Sequence, residues 1–142
     1  MQVVLAVCLP RDEVSIQVAR HIIQDALRAV GVAESCLQDV AIALSEACTN
    51  VVQHSGPGDQ YEVRVEITDE RCVLSVIDKG HGFDSAIVGD SSDLSSERGR
   101  GIVLMRALVD DIHFVSDPES GTAVRLEKTL EFRDDAAFRA GR

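Results

Sequence analysis

The chain has 142 residues, of which 45% are hydrophobic and 27% are charged. That length is enough for one domain with a substantial core and too short for two well-formed domains. The formal net charge of −10 disfavours a nucleic acid as partner, because binding its phosphates requires a cationic surface. Any phosphate-bearing ligand is therefore expected to be small and held by local geometry.

The longest apolar run, residues 1–9, is far too short to cross a membrane. It also lacks the basic segment and the small-residue cleavage site of a secretory signal, so we expect a cytoplasmic protein with no membrane partner. The four cysteines occupy apolar or half-buried contexts without C-x-x-C spacing, which favours reduced core thiols over a metal site or a disulfide framework. They are Cys8, Cys36, Cys48 and Cys72.

Hydrophobic periodicity predicts a strand and two helices in the first part of the chain. Residues 2–9 are predicted to form a short strand, and residues 11–30 a helix that stops at Gly31. A second helix is predicted over residues 35–54, where the Ser-Gly-Pro-Gly cluster at 55–58 ends it. The apolar positions of the first helix include Val14, Val18, Ile22 and Leu27.

A β-hairpin is predicted next. In residues 61–68 the odd positions are apolar and the even positions are polar, so the sheet should have one covered face and one wet face. Residues 72–78 should form the antiparallel partner of this strand, across the polar turn at Asp69 and Glu70.

The remaining elements complete a fold prediction. A polar, Ser-rich segment at 85–98 is followed by a predicted helix at 101–109 and strands near 112–116 and 122–130. This order predicts an α/β (α+β) two-layer sandwich, with a mixed, mostly antiparallel sheet and helices on one face. A doubly wound nucleotide fold is excluded, because strands and helices do not alternate regularly and no Walker A or G-x-G-x-x-G sequence is present. We expect residues 1–130 to form this domain and residues 131–142 a short charged tail.

The second predicted helix carries a polar stripe within SEACTNVVQH. Glu46, Asn50 and His54 are spaced four residues apart, so at about 100° per residue they share one side of the helix. One interpretation is a surface helix with a solvated polar face. The other is that Glu46 and Asn50 look into a ligand cavity, where an amide oxygen can coordinate a hard cation and a carboxylate can accept a proton. A separate apolar stripe comprises Leu37, Val40, Leu44, Ala47 and Val51.

The segment VIDKGHGFD places Asp78 at the end of an apolar strand, followed by Gly80 and Gly82. An aspartate in this position could simply initiate a turn. However, Asp78 shares strand parity with Leu74 and Val76, which directs its side chain toward the covered face of the sheet. A carboxylate there needs a donor, and the exocyclic amine of adenine is a suitable one. The two glycines would let the backbone approach a flat base closely.

A third motif occurs in ERGRGIVLMRALVDD. Gly99 and Gly101 directly precede an apolar helical run, so free backbone N–H groups and the positive end of a helix dipole could face an anion. The Ser-rich segment before them has little to bury and could act as a flap. Arg98 could contact phosphates, but a solvated loop arginine is an equally good interpretation.

These motifs, in this order, resemble those of the GHKL ATPases. The stripe of Glu46, Asn50 and His54 is similar to the N box of that family. The aspartate and glycines at 78–82 are similar to the G1 box, and the glycine pair at 99–101 to the G2 box. Gly121 and Thr122 look like the terminal threonine motif. The resemblance covers about residues 8–130, and LSEACTN and GRGIVLMRALVDD look most like the anti-sigma-factor serine kinases.

The resemblance implies a Bergerat-type ATP-binding fold with Mg²⁺ and ATP as cofactors, and it implies roles for the motif residues. Asn50 would hold the magnesium ion, and Glu46 would be the general base that takes the proton of the acceptor hydroxyl. Asp78 would bind the adenine amine, and Thr122 would reach the adenine directly or through water. The remaining assigned residues are Gly80 and Gly82 in the base pocket, Gly99 and Gly101 as lid hinges, and Arg98 near the phosphates. His54 receives no role.

The resemblance also implies partners. The phosphoacceptor would be an anti-sigma-factor antagonist, and a sigma factor and a second copy of the chain are further expected partners. A sensor histidine kinase is disfavoured, because the 45 residues before Glu46 leave no room for a phosphoacceptor helical hairpin. Two function classes stay open: a protein serine/threonine kinase, and a nucleotide-dependent binding module that sequesters a regulator with little or no transfer. The presence of Glu46 favours the kinase, because nucleotide binding alone would not require a base there.

Overall fold

The computed structural model describes residues 1–54, 60–78, 97–117 and 121–135. Within these ranges each predicted helix and strand is present, although the third helix begins earlier than predicted. The strands are β1 (Gln2–Pro10), β2 (Gln60–Thr68), β3 (Arg71–Asp78), β4 (Asp111–Asp117) and β5 (Gly121–Thr129). The helices are α1 (Glu13–Ala29), α2 (Glu34–His54) and α3 (Glu97–Leu108).

The strands form one five-stranded sheet in the order β1-β2-β3-β5-β4, and each of its neighbouring pairs is antiparallel. The last strand therefore inserts between β3 and β4. In β2 the side chains at 61, 63, 65 and 67 are buried, which confirms the alternation of a covered and an open face. The helices pack on the covered face, with α2 between α1 and α3, so the predicted two-layer α+β sandwich is confirmed.

The centre of the helical layer is α2, whose apolar stripe is the core of the domain. All five residues predicted for that stripe are buried, which confirms its direction. Lys128 of β5 approaches Asp39 of this helix at 3.8 Å, on its partly exposed side. A helix with this much buried apolar surface is held in place by tertiary packing more than by intrinsic propensity.

Only some of the apolar positions of α1 are buried. Leu27 is fully buried, whereas Val14 and Val18 are 71% and 42% exposed. Ser15 and Ala19 are buried in their place, together with Ile23 and Leu27 further along the helix. The reason is that the Ser15 hydroxyl pairs with the Tyr61 hydroxyl at 2.7 Å inside the protein, so a polar side chain takes an inward position that hydrophobicity alone assigns to valine.

The cysteines agree with the predicted reduced thiols, with one correction on burial. All four are free, and Cys36, Cys48 and Cys72 are buried. Cys8 is exposed, because the even positions of β1 lie on the open face of the sheet. Burial raises the pKa of Cys48 to about 12 and that of Cys72 to about 12, so both are neutral thiols.

The first residues after β5 form backbone hydrogen bonds with the turn between α1 and α2. The backbone N–H of Ala33 donates to the Glu131 carbonyl, and that of Arg133 donates to the Gly31 carbonyl, each at 2.8 Å. Gly31 has φ of 93°, a left-handed conformation that suits glycine at the end of a helix. None of the helices in these described ranges is both long and apolar enough to span a membrane.

Candidate nucleotide-binding site

Two of the predicted site residues on α2 lie at the contact between α2 and α3. Asn50 is only 5% exposed, and Glu46, one turn before it, is half-buried. The interpretation of the polar stripe as a solvated face is therefore wrong for Asn50. Burying an amide costs free energy unless its polar atoms find partners, so a buried asparagine in a helix needs a specific reason.

Gly101 of α3 marks the point where these two side chains converge. A β-carbon placed on Gly101 would lie 2.9 Å from Glu46 Oε2 and 3.9 Å from Asn50 Oδ1. The Glu46 carboxylate and the Asn50 amide oxygen are thus both within reach of one backbone position on the neighbouring helix. The structure brings together the predicted general base, the predicted metal ligand and one glycine of the G2 motif.

The start of α3 corrects the predicted geometry of that glycine motif. The helix was expected to begin at about residue 101, after both glycines, but it begins at Glu97 and includes Gly99 and Gly101. The two glycines therefore lie within the first turns of the helix and not before its start. Glycine costs about 1 kcal/mol relative to alanine inside a helix, which is why sequence patterns place helix ends at glycine. Here the close packing of α3 on α2 outweighs that preference.

Asp78 is the last residue of β3 and is fully buried, on the same face as Leu74 and Val76. This confirms the parity argument, which directed the side chain toward the helical layer. A buried carboxylate at the end of a central strand is costly unless donors reach it. In the sheet register Asp78 is directly opposite Thr122 of β5, so the two residues predicted to bind adenine are backbone neighbours.

Several predicted site residues lie outside the part of the chain that the structure describes. Gly80, Gly82 and the Ser-rich segment belong to residues 79–96, which are not described. The backbones of His54, Arg98 and Thr122 are placed in α2, α3 and β5, but their side chains are not described. The structure therefore fixes the strand position of Thr122 and the helix position of Arg98 without assigning either a contact.

Polar contacts that the sequence patterns missed join α2 to Arg11 and to α1. Nη2 of Arg11 donates to the Val51 carbonyl at 2.9 Å, so a cation lies against the C-terminal turn of α2, where the helix dipole favours positive charge. Nε of Arg20 donates to the hydroxyl of Ser45, which in turn donates to the Ala41 carbonyl. The contact of Arg11 could have been suspected from the sequence, because a basic residue directly follows the first strand. The contact of Arg20 with Ser45 could not, because it depends on how α1 packs on α2.

The side-chain oxygens at this site are suited to a nucleotide bound with magnesium. Mg²⁺ usually takes only one or two protein ligands, with phosphate oxygens and waters filling the octahedron. In kinases an asparagine can supply such a ligand, as the buried Asn50 amide oxygen could. Among the described residues no group of three or more His, Cys, Asp or Glu side chains could form a metal cage. The grooves on the open face of the sheet, lined by residues such as Arg71 and Arg125, include none of the predicted site residues.

Comparison with known proteins agrees with this arrangement. The family described as histidine kinase-like ATPase domain matches residues 9–128. The serine-protein kinase RsbW of Bacillus licheniformis is 36% identical over an alignment of 107 residues, and the match covers 66% of this chain and 65% of that protein. The serine-protein kinase RsbW of Bacillus velezensis is 28% identical over an alignment of 134 residues, and the match covers 86% of this chain and 82% of that protein. The first of these matches covers just under two thirds of the relative.

Among solved structures, the crystal structure of the RsbU and RsbW domains of a Mycobacterium tuberculosis protein is similar in fold. It aligns with a TM-score of 0.69 and 22% sequence identity, over 90% of this chain and 32% of that chain. At this identity the likeness concerns the fold alone. Together the three comparisons confirm the resemblance to GHKL-type domains and to the proteins named RsbW.

Proposed function

This chain belongs to the histidine kinase-like ATPase domain family, and from that membership and the site geometry we propose that it is an ATP-dependent protein serine/threonine kinase that acts as an anti-sigma factor. The observation that carries the proposal is the convergence of Glu46 and Asn50 at Gly101. Nucleotide binding alone can account for the Asn50 amide. The Glu46 carboxylate beside it is needed only if the reaction also removes a proton. Similarity to proteins named serine-protein kinase supports the same reaction class.

The nucleotide would bind between α2, α3 and the end of β3. The buried carboxylate of Asp78 is an acceptor for the adenine amine, and Thr122, opposite it in the sheet, is close enough in the backbone to share that base. Gly80 and Gly82 complete the base pocket in this proposal, and Gly99 and Arg98 contribute to the phosphate side. Asn50 would coordinate the magnesium ion, which when bound neutralises charge on the phosphates.

The half-buried carboxylate of Glu46 would carry the proton chemistry. A serine or threonine hydroxyl of the acceptor protein would attack the γ-phosphorus of ATP, forming a new oxygen–phosphorus bond as the bond to the leaving oxygen of ADP breaks. Glu46 would accept the hydroxyl proton during this step. The partial exposure of this side chain is suitable for the role, because the acceptor must reach it from outside.

The partners follow from the same proposal. The phosphoacceptor would be an anti-sigma-factor antagonist, and the sequestered protein a sigma factor, both in the cytoplasm, with the kinase acting as a homodimer. The names of the relatives support a protein serine as the phosphate acceptor. Neither a membrane nor a nucleic acid is part of the proposal.

The proposal is tested by incubating the protein with Mg-ATP and antagonist domains encoded in the same genome, then locating phosphate by mass spectrometry. We expect one phosphorylated serine or threonine on one antagonist, and no product without magnesium. Tight nucleotide-dependent binding to a sigma factor with no phosphate on any antagonist would instead support the sequestering module. Failure to bind ATP at all would overturn both.

A further inference from the structure

Gly101 lies in the interior of α3, on the side of that helix that packs against α2. It is buried with Ile102 and Met105, whereas Val103 and Leu104 face outward. Glycine is a poor residue for a helix interior, because alanine forms helix more readily and restricts the unfolded chain more. A glycine at a buried helical position therefore calls for a packing reason, and its neighbours on α2 supply one.

Gly101 lies closer to the Glu46 side chain than to the Asn50 side chain. An added β-carbon would meet Asn50 Oδ1 at 3.9 Å, an ordinary van der Waals distance, but Glu46 Oε2 at 2.9 Å, which real β-carbons essentially never show. Something must move to relieve the second contact. Glu46 Oε2 is the far end of a flexible side chain, so the carboxylate can move at much lower cost than the two packed helices.

From this geometry we infer that Gly101 is a positioning residue for Glu46. The missing side chain leaves the space in which the Glu46 carboxylate sits, and an added β-carbon would displace that carboxylate while leaving Asn50 in place. This inference rests on the proposed function, because Glu46 is the proposed base. It gives Gly101 a role different from that of a hinge or a phosphate contact.

The inference predicts a separation between nucleotide binding and transfer. In Gly101→Ala the Asn50 amide keeps its surroundings, so affinity for Mg-ATP should stay within twofold of the wild-type value. The displaced carboxylate should lower kcat for phosphotransfer tenfold or more, with little change in the KM for ATP. The melting temperature should stay close to that of the wild type, since the clash is relieved by one side chain.

A double-mutant cycle with Glu46→Asp tests whether the loss acts through Glu46. The aspartate is one methylene shorter and withdraws from the β-carbon added at position 101, so combining Gly101→Ala with Glu46→Asp should change the residual kcat less than twofold. Val103→Ala, at an exposed position of the same helix, is the matched control and should keep the wild-type kcat.

Three outcomes would overturn the inference: an unchanged kcat in Gly101→Ala, an equal fold-loss from Gly101→Ala in both backgrounds, or loss of Mg-ATP binding in that variant. If the wild-type protein transfers no phosphate, the proposed function fails, and the contact is then judged by thermal unfolding alone. Gly101→Ala should leave the melting temperature of the wild type nearly unchanged and should raise it in a Glu46→Ala background, where no carboxylate meets the added β-carbon, and equal shifts would show that the two residues do not interact.

Discussion

Asp78 at the end of β3 and Thr122 near the start of β5 are direct partners in the antiparallel register, although they lie far apart along the chain. The carboxylate of this pair is fully buried. Because the two residues are neighbours across the strand pair, a base held by Asp78 would also lie beside the backbone of β5. This relationship makes Asp78 the proposed adenine contact that is most readily tested.

Asp78→Asn should weaken ATP binding about tenfold or more. The substitution keeps the size of the side chain and removes its charge, and hydrogen bonds to charged groups are worth about 1.5–3 kcal/mol. Isothermal titration with ATP measures the effect. Asp39→Asn is the matched control, because Asp39 is a partly exposed aspartate of α2 that faces Lys128. Equal affinities of the Asp78 variant and the wild type would refute the adenine contact.

Asn50→Ala should abolish the magnesium dependence of nucleotide binding. The amide oxygen is the proposed metal ligand, so ATP affinity with magnesium should fall to the value measured in excess EDTA. Titrations with and without EDTA give the comparison. Gln53→Ala removes an exposed amide from the same helix and should keep the full magnesium effect. A magnesium effect of normal size in the Asn50 variant would exclude it as the ligand.

Glu46→Ala and Glu46→Gln should both bind Mg-ATP normally and lose transfer by about 10²–10⁴-fold, the usual contribution of a positioned base. Single-turnover assays with the phosphoacceptor measure the loss. Glu34→Gln is the control, since Glu34 lies on the exposed first turn of the same helix, paired with Arg28. Unchanged transfer in either Glu46 variant contradicts the assignment of the base.

The buried hydroxyl pair of Ser15 and Tyr61 should show coupled stability effects. Ser15→Ala and Tyr61→Phe each leave the other hydroxyl without this 2.7 Å partner, at a cost of about 1–3 kcal/mol. The double variant should cost less than the sum of the two, by about 0.5 kcal/mol or more. Urea unfolding of the four proteins gives the cycle. Strict additivity would mean that the two hydroxyls do not depend on one another.

The buried thiols predict a loss of stability at alkaline pH. The folded pKa values of Cys48 and Cys72 are about 12, raised by burial from 9.0, so the unfolded chain releases these protons first. Their stabilising effect is complete below pH 9 and is lost as the pH rises from 9 toward 12. At one unit above the unfolded pKa each thiol lowers the free energy of unfolding by about 1.4 kcal/mol.

Denaturation at several pH values measures this slope. Cys72→Ala should reduce it, because one of the two buried thiols is removed. An identical slope in the wild type and the Cys72 variant would mean that this thiol titrates alike in the folded and unfolded states.

The features that sequence reasoning predicted well are those with a strong period. The strict alternation in β2 and the apolar stripe of α2 leave one choice of covered face, and Asp78 followed from strand parity. These features are governed by local geometry, because side-chain direction repeats every two residues in a strand and about every 3.6 in a helix.

The features that it missed depend on contacts between distant segments. The inward position of Ser15 depends on Tyr61, which is 46 residues away in the chain. The inclusion of Gly99 and Gly101 in α3 depends on the close approach of that helix to α2. In both cases a local preference is overridden by packing between segments that are distant in the chain. A short window of sequence does not contain that information.

The strand order also has a consequence for biosynthesis. In the described sheet β4 is paired only through β5, and the Asp78 end of β3 receives its second strand only when β5 inserts. A nascent chain emerging from the ribosome can pair β1, β2 and β3 first, but the proposed adenine side of the pocket must wait for residues 121–129. Nascent chains that stop before β5 should therefore not be retained on an ATP affinity resin.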